Sequence, residues 1–420
     1  MGTTVNQQKH SKGILERPQH VLPHPLEIAA NADRHNIVNG LVGFLFAVSG
    51  PLAILLTVAT KGGLSETDIN SWIFAGYGIG GGLSILFSLV YRQPIGMAWT
   101  IPGAVLIGPA LSHLGFSEII GAYLVTGVLI TVMGLTGWIR KGMSAFPMAI
   151  VMGMVSGVFL PFCLNIITAF QDAPWIALSM VAAFVTVLAI PTVAKSLPPI
   201  LGALIVGILV IMATDSIGLE QSLSFSLARP HLYLPTLSIK AILELVIPLT
   251  IAVVVIQNAQ GLAILKEAGY EPPVNTLTVA SGVGSVLFGI FGAVSACVTG
   301  PVNAILNSSG ATERRYVGGI TFGILLFLFG LFAPIATRLG LSLPPAFIGM
   351  LGGLAMIRVL QTAMSTAFGG HCPLGALVTF IVAFSDIVIL NIGSAFWGLV
   401  FGFLTSWVME GDDLRHLWKS

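Results

Sequence analysis

Apolar stretches, most of them long enough to cross a membrane, follow one another from residue 37 to residue 409, parted by turn residues, isolated charges and one polar segment at 216–239. A helix crosses the hydrocarbon layer with about 20 apolar residues. Within that layer each backbone N–H and C=O must find its partner inside the protein, which stretches of this length achieve as helices. Of 420 residues, 18 are Lys or Arg and 17 are Asp or Glu, so 8% are charged and 55% hydrophobic. A soluble domain carries about 25% charged residues. So few charges cannot clothe a soluble enzyme of this length, and a net charge of +1 offers no basic face to nucleic acid. The chain reads as an all-α polytopic membrane protein.

Spans are expected at 37–59, 69–91, 95–111, 117–139, 146–170, 173–194, 198–214, 241–265, 275–293, 294–309, 316–337, 344–360, 373–390 and 392–409, fourteen in all. The third and the tenth are short and broken by Gly and Pro. Residues 1–36 are polar, contain Lys9, Lys12, Arg17 and Arg34, and lack a signal-peptide core. They read as a cytoplasmic tail, residues 216–239 as an external connecting segment and residues 411–420 as a second cytoplasmic tail. Cytoplasmic loops collect Lys and Arg. With the amino terminus inside, Lys61, Arg229, Lys240 and Arg338 fall outside, and the other fourteen of the 18 cations fall inside. That bias favours fourteen spans in the inner (cytoplasmic) membrane with both termini cytoplasmic. Trp72, Trp138, Trp175 and Trp407 lie near span ends and read as interface anchors.

The halves 37–215 and 240–410 resemble each other. Gly127 and Gly134-Leu135 match Gly323 and Gly330-Leu331 at an offset of 196 residues. Gly153-Met154-Val155-Ser156-Gly157 matches Gly349-Met350-Leu351-Gly352-Gly353 at the same offset. Thr100-Ile101-Pro102 pairs with Thr299-Gly300-Pro301, and Leu52–Leu55 with Leu262–Leu265. Seven spans per copy is an odd number, so the second copy enters from the opposite side. Two inverted seven-span repeats are a recurring plan of secondary transporters, with the site between broken helices of the two copies.

Spans three and ten supply those broken helices. In each, Thr-x-Pro reads as a helix start: the Thr100 or Thr299 hydroxyl caps free N–H groups, and Pro suits the first turn. Two opposed helix starts, each with about half a positive charge, make an anion site without Lys or Arg. The bland alternative is a pair of packing kinks. Gly103 and Gly300, in the first turns at these starts, are counted among the substrate-binding residues. Span eight carries Gln257, Asn258 and Gln260, read as ligand contacts or as interhelical glue. Ser49 corresponds to Gln260 across the repeat, and Asn303 lies near the second helix start. Trp99 is placed to stack on an aromatic ligand or simply to pack. Glu244 in span eight and Asp386 in span thirteen are candidates for proton coupling, as an intramembrane acid is by default. Either also fits an interfacial role. Cys163, Cys297 and Cys372 form no disulfide framework or metal site, no histidine has metal-ligand spacing, and no cofactor motif is present. No paired acids, HExxH or Walker sequence points to an enzyme or an ATP-driven pump.

Two stretches, Gln93-Pro-Ile-Gly-Met-Ala-Trp-Thr-Ile-Pro-Gly-Ala104 and Gln257-Asn-Ala-Gln-Gly-Leu-Ala-Ile-Leu-Lys-Glu-Ala-Gly-Tyr-Glu-Pro-Pro273, resemble the benzoate/proton symporter (BenE-type) family. The resemblance implies the fold of uracil permeases and sulfate-type anion carriers. It implies a core domain from spans 1–4 and 8–11, a gate domain from spans 5–7 and 12–14, and proton-driven uptake of an aromatic carboxylate. Where the related uracil carriers place acids in spans eight and ten, this chain offers Gln257 and Thr299, which suits an anion better than a nucleobase. The expected partners are a small organic anion, protons and the lipid bilayer, with no nucleic acid; a homodimer is the assembly considered. A nucleobase or inorganic-anion carrier of the same fold is the alternative, ahead of a channel or a non-transporting receptor.

Overall fold

The computed structural model describes residues 14–18, 21–138, 147–194, 197–214 and 226–419. Lys9, Lys12, Arg140, Lys141 and Lys195, used above for topology, lie outside the described residues, as does the connecting segment up to residue 225. Helix α1 is Pro25–Asn31, α2 Arg34–Ala47, α3 Gly50–Lys61, α4 Glu66–Tyr91, α5 Ile101–Ala110, α6 Phe116–Thr136 and α7 Met148–Asp172. They are followed by α8 Pro174–Ala189, α9 Pro191–Ala194, α10 Pro199–Ala213, α11 Ile239–Glu267, α12 Val274–Ile290 and α13 Gly300–Leu306. The chain ends with α14 Tyr316–Leu331, α15 Ala333–Ser342, α16 Pro345–Phe368, α17 Pro373–Phe384, α18 Ser394–Met409 and α19 Gly411–Lys419. Seven helical stretches among the described residues are long and apolar enough to cross a membrane, and six apolar helices are shorter.

Local sequence explains many of the boundaries. Pro51, Pro174, Pro199, Pro345 and Pro373 open their helices, where a missing N–H costs nothing. Ser65 and Asp68 cap α4 reciprocally. Span one, read as continuous, is broken at Val48-Ser49: Ser49 has φ −98° and ψ −101°, and Pro51 interrupts the hydrogen-bond ladder. Span eleven, read to residue 337, ends at Leu331, and Pro334 opens the separate α15. Span thirteen, read to residue 390, stops at Phe384. Asp386, Leu390 and Asn391 then adopt left-handed φ values of 57°, 56° and 62°, so Asp386 sits in a connecting loop and not in a helix. Trp72 is fully buried against Trp99, so it is no interface anchor, whereas Trp138, Trp175 and Trp407 are exposed.

Close helix pairs are built on glycine, which lets backbones approach without a side chain between them. A Cβ on Gly127 of α6 would lie 2.8 Å from the Gly282 carbonyl of α12. One on Gly323 of α14 would lie 2.7 Å from the Gly81 carbonyl of α4. Residues 226–238 run across helix ends: Ala228, Tyr233 and Thr236 N–H groups donate to Leu331, Ile290 and Ser117 carbonyls at 2.8, 2.9 and 2.9 Å. The amino-terminal residues dock as well. The Glu16 carboxylate accepts from Asn275 and Thr276 N–H at the start of α12, and Arg92 pairs with Glu27.

Spans three and ten both begin as extended chain. Met97–Trp99 (β1) and Ala296–Val298 (β2) pair antiparallel, with Met97 opposite Val298, Ala98 opposite Cys297 and Trp99 opposite Ala296. The pairing continues at both ends, where Thr100 N–H donates to Ser295 O (2.9 Å) and Thr299 N–H to Gly96 O (3.0 Å). A two-stranded ribbon leaves outward-facing N–H groups, which are costly to bury unpaired. Helix side chains take them. Met97 N–H donates to Ser84 Oγ (2.8 Å), Ala296 N–H to Ser285 Oγ (3.0 Å), Val298 N–H to Asn258 Oδ1 (2.7 Å) and Gly96 N–H to Asn303 Oδ1 (2.9 Å). The ribbon is thereby fixed amid helices, and α5 and α13 leave it from its opposite ends.

Candidate functional site

A small cavity of about 30 Å³ lies against the ribbon. Trp99, Tyr77 and Phe46 form its aromatic wall, Thr299 and Gln257 its polar one, and Ile101 and Pro301 belong to the two helix starts. Trp99 is held edge-on by Trp72 and Tyr77, with ring centroids 6.5 and 6.0 Å away. Tyr77 donates its hydroxyl proton to Ala47 O (3.0 Å), beside the break in span one. Gly76 makes room for the indole: a Cβ there would lie 2.8 Å from Trp99 Cδ1. Gly76→Val is therefore expected to displace the Trp99 ring and weaken aromatic-ligand binding, read by titration of the purified variant, with the protein still folded.

The predicted site residues divide by what they touch. Gln257 is 6% exposed, and its Oε1 has no hydrogen-bond partner among the described residues. An unpaired buried amide oxygen costs about 1–3 kcal/mol, a cost that a hydrogen bond from a ligand or water in the cavity offsets. It lies in a π-helical segment, Ala252–Asn258, a distortion that is frequent at functional sites. Thr299 lines the cavity, and its hydroxyl reaches Gly96 O at a long 3.4 Å. Thr100 is fully buried, and its Oγ1 accepts from Gly103 N–H at 3.3 Å, which makes it a cap outside the cavity wall. Gly103 is packed tightly, since a Cβ would lie 3.1 Å from Val294 Cγ2. Gly300 lies under the Gln260 side chain, and Gln260 itself is exposed beside the second helix start.

Asn258 and Asn303 are struts. Asn258 holds Val298 N–H and exchanges hydrogen bonds with Ser281. Asn303 holds Gly96 N–H and donates to Gly96 O (3.2 Å) and Thr299 O (2.6 Å). Ser49 is buried at the break in span one, and its hydroxyl donates to Phe46 O (2.8 Å). Glu244 and Asp386 stand apart from this cavity. They line a second, larger one of about 350 Å³, together with Lys61, Ser112, Asn165 and Ser394. Tyr77 and Phe46 were missed in the sequence. A tyrosine in the middle of the Gly76–Gly82 run of span two was the available signal, since a mid-membrane hydroxyl needs a partner.

Among the described residues, no group of His, Cys, Asp or Glu is arranged to hold a metal. The sequence profile of the BenE family, described as benzoate membrane transport protein, matches residues 30–408. The chain is 30% identical to the inner membrane protein YdcO of Escherichia coli, over 87% of this chain and 93% of that one. It is 28% identical to the benzoate membrane transport protein of Acinetobacter baylyi, over 89% and 94%. In structure it is similar to the transmembrane domain of the cyanobacterial bicarbonate transporter BicA (TM-score 0.59, 17% identity, 88% of this chain and 97% of that chain). It is also similar to the murine anion transporter Slc26a9 in its inward-facing state (TM-score 0.60, 13% identity, 94% and 73%). At these identities the structural likeness speaks for the fold alone. The benzoate membrane transport protein, BicA and Slc26a9 are transporters and not enzymes, and the chain belongs to the BenE family of benzoate membrane transport proteins.

Proposed function

We propose that this membrane protein is a secondary active transporter that takes up benzoate or a related aromatic carboxylate with protons by alternating access. The observation that carries this reading is the cavity at the ribbon, where an aromatic wall meets Thr299, the unpaired Gln257 amide and two helix starts. The ring of the substrate packs against Trp99. Its carboxylate takes hydrogen bonds from the Thr299 hydroxyl, from Gln257 (whose amide presents Nε2 after a 180° flip) and from N–H groups at the helix starts. Fourteen spans in two inverted repeats fit the antiparallel ribbon and the matched struts Ser84 and Ser285. In that arrangement spans 1–4 and 8–11 form the core and the rest the gate, in the inner membrane with cytoplasmic termini.

The cavity has room for about two waters, since one needs about 10–15 Å³. An aromatic ring is larger, so binding requires Trp99 and its neighbours to open. The same smallness favours a second reading, an inorganic-anion carrier. Uptake of labelled benzoate, bicarbonate and uracil by proteoliposomes separates the readings. Benzoate uptake driven by an inward proton gradient is expected. Uptake of bicarbonate alone supports the second reading, and uptake of uracil alone contradicts both.

A further inference from the structure

The ribbon cavity, at about 30 Å³, is too small for an aromatic ring, so one of its walls must yield. The ribbon wall is held by Ser84, Ser285, Asn258 and Asn303. Another wall is the break in span one, where Phe46, Ala47 and Pro51 border the cavity. Among the described residues, one side chain from another helix ties that break by a hydrogen bond: the Tyr77 hydroxyl donates to Ala47 O at 3.0 Å. The Ser49 hydroxyl turns back within span one, onto Phe46 O.

The sequence creates this contact. In a continuous helix Ala47 O would accept from the N–H of residue 51, four positions on. Residue 51 is proline and has no N–H to give. The freed carbonyl is buried, where an acceptor without a donor is costly. Tyr77 supplies the donor from Phe74–Ile79, a π-helical segment in the middle of α4. Such segments are rare and frequent at functional sites, and Gln257 stands in another. The Tyr77 ring lies edge-on to Trp99 and to Phe329, with centroids 6.0 and 5.2 Å away, and Phe329 meets Phe44 of α2 at 6.0 Å. One residue therefore touches both the ring that is to receive the substrate and the chain that borders its space.

We propose that Tyr77 is a latch that sets which carboxylates the ribbon cavity admits. With its hydroxyl on Ala47 O, the break stands close to Trp99, and only a very small anion fits. An aromatic carboxylate enters when the hydroxyl lets go and the break follows α16, on which Gly50 leans (a Cβ there would lie 2.5 Å from Ala355 Cβ). Tyr77 is thus a positioning residue, which admits the ring without holding the carboxylate. Removing its hydroxyl weakens only the closed form, because the open form has already lost the bond. A ligand that binds the open form alone gains by that shift in populations. This inference rests on the benzoate reading above.

Tyr77→Phe keeps the ring and its edge-on contacts and deletes the donor. Dissociation constants of formate, benzoate and 2-naphthoate, measured by titration calorimetry on the purified full-length parent and variant, test the latch. The variant is expected to bind benzoate and 2-naphthoate about twofold to tenfold more tightly, the worth of one neutral hydrogen bond. Formate, which needs no opening, is expected to bind both proteins alike. A merely structural role would weaken all three together. Benzoate bound no more tightly by the folded variant, or an equal gain for formate, overturns the inference. The parent alone supplies a check that does not depend on the variant folding. In its crystals with 4-bromobenzoate in the ribbon cavity, the Tyr77 hydroxyl is expected beyond hydrogen-bond reach of Ala47 O. A seated ring with that bond intact removes the latch alone, whereas a parent that binds no benzoate removes the substrate reading and the latch with it.

Discussion

Replacing Asn258 with leucine is expected to destabilise the folded protein, while the same change at Gln257 leaves the fold intact and weakens the ligand site. The two amides are adjacent in α11 but face different things. Asn258 Oδ1 accepts Val298 N–H at 2.7 Å, and its Nδ2 donates to Ser281 at 3.1 Å. Leucine leaves a buried ribbon N–H without a partner, at a cost of about 1–3 kcal/mol before any packing conflict. Thermal unfolding of the purified variant in detergent should show a clear drop in melting temperature. Gln257 Oε1 has no partner to lose. Its leucine variant should melt like the parent and bind benzoate about 10-fold to 150-fold more weakly, the worth of one hydrogen bond to a charged group. Equal melting temperatures for the two variants would remove the distinction between strut and contact.

The two threonines at the helix starts should differ as well, although the repeat makes them equivalent in sequence. Thr299 lines the cavity with its hydroxyl only loosely engaged at 3.4 Å. Thr299→Val keeps the shape and deletes a donor, so the benzoate dissociation constant is expected to rise about tenfold or more. Thr100 is a cap turned onto Gly103 N–H. Thr100→Val should cost about 0.5–2 kcal/mol of stability with little change in affinity. Benzamide, which has the ring without the charge, should bind the parent poorly. Equal affinity for benzamide and ionised benzoate contradicts an anion site.

Much of this arrangement is legible in local sequence. Thr-x-Pro marks both helix starts through the first-turn proline, but the expected hydroxyl cap forms at Thr100 alone; Thr299 turns its hydroxyl onto Gly96 O and does not cap α13. The extended chain before each start follows from the Gly and Pro that break spans three and ten. The pairing of β1 with β2 is not legible: it joins residues about 200 apart over three positions, too short for a strand pattern. The same holds for Glu244 and His113, which are 131 residues apart and meet only through packing. Trp72 and Asp386 show a different limit. Both lie near span ends, where a shift of a few residues separates an anchor from a buried ring, or a helical acid from a loop one. The roles of Asn258 and Gln257 turn on which face of a π-helical segment each occupies, and π segments leave no periodic trace in sequence.

The claim that the ribbon cavity holds the substrate is tested most directly by locating a bound aromatic acid. Crystals grown with 4-bromobenzoate permit this, because anomalous scattering marks the bromine. The expected result is one bromine site against the Trp99 ring, with the carboxylate directed at Thr299, Gln257 and the N-termini of α5 and α13. Bromine confined to the larger cavity near Lys61 and Asp386, with the ribbon cavity unchanged under saturating ligand, would contradict it.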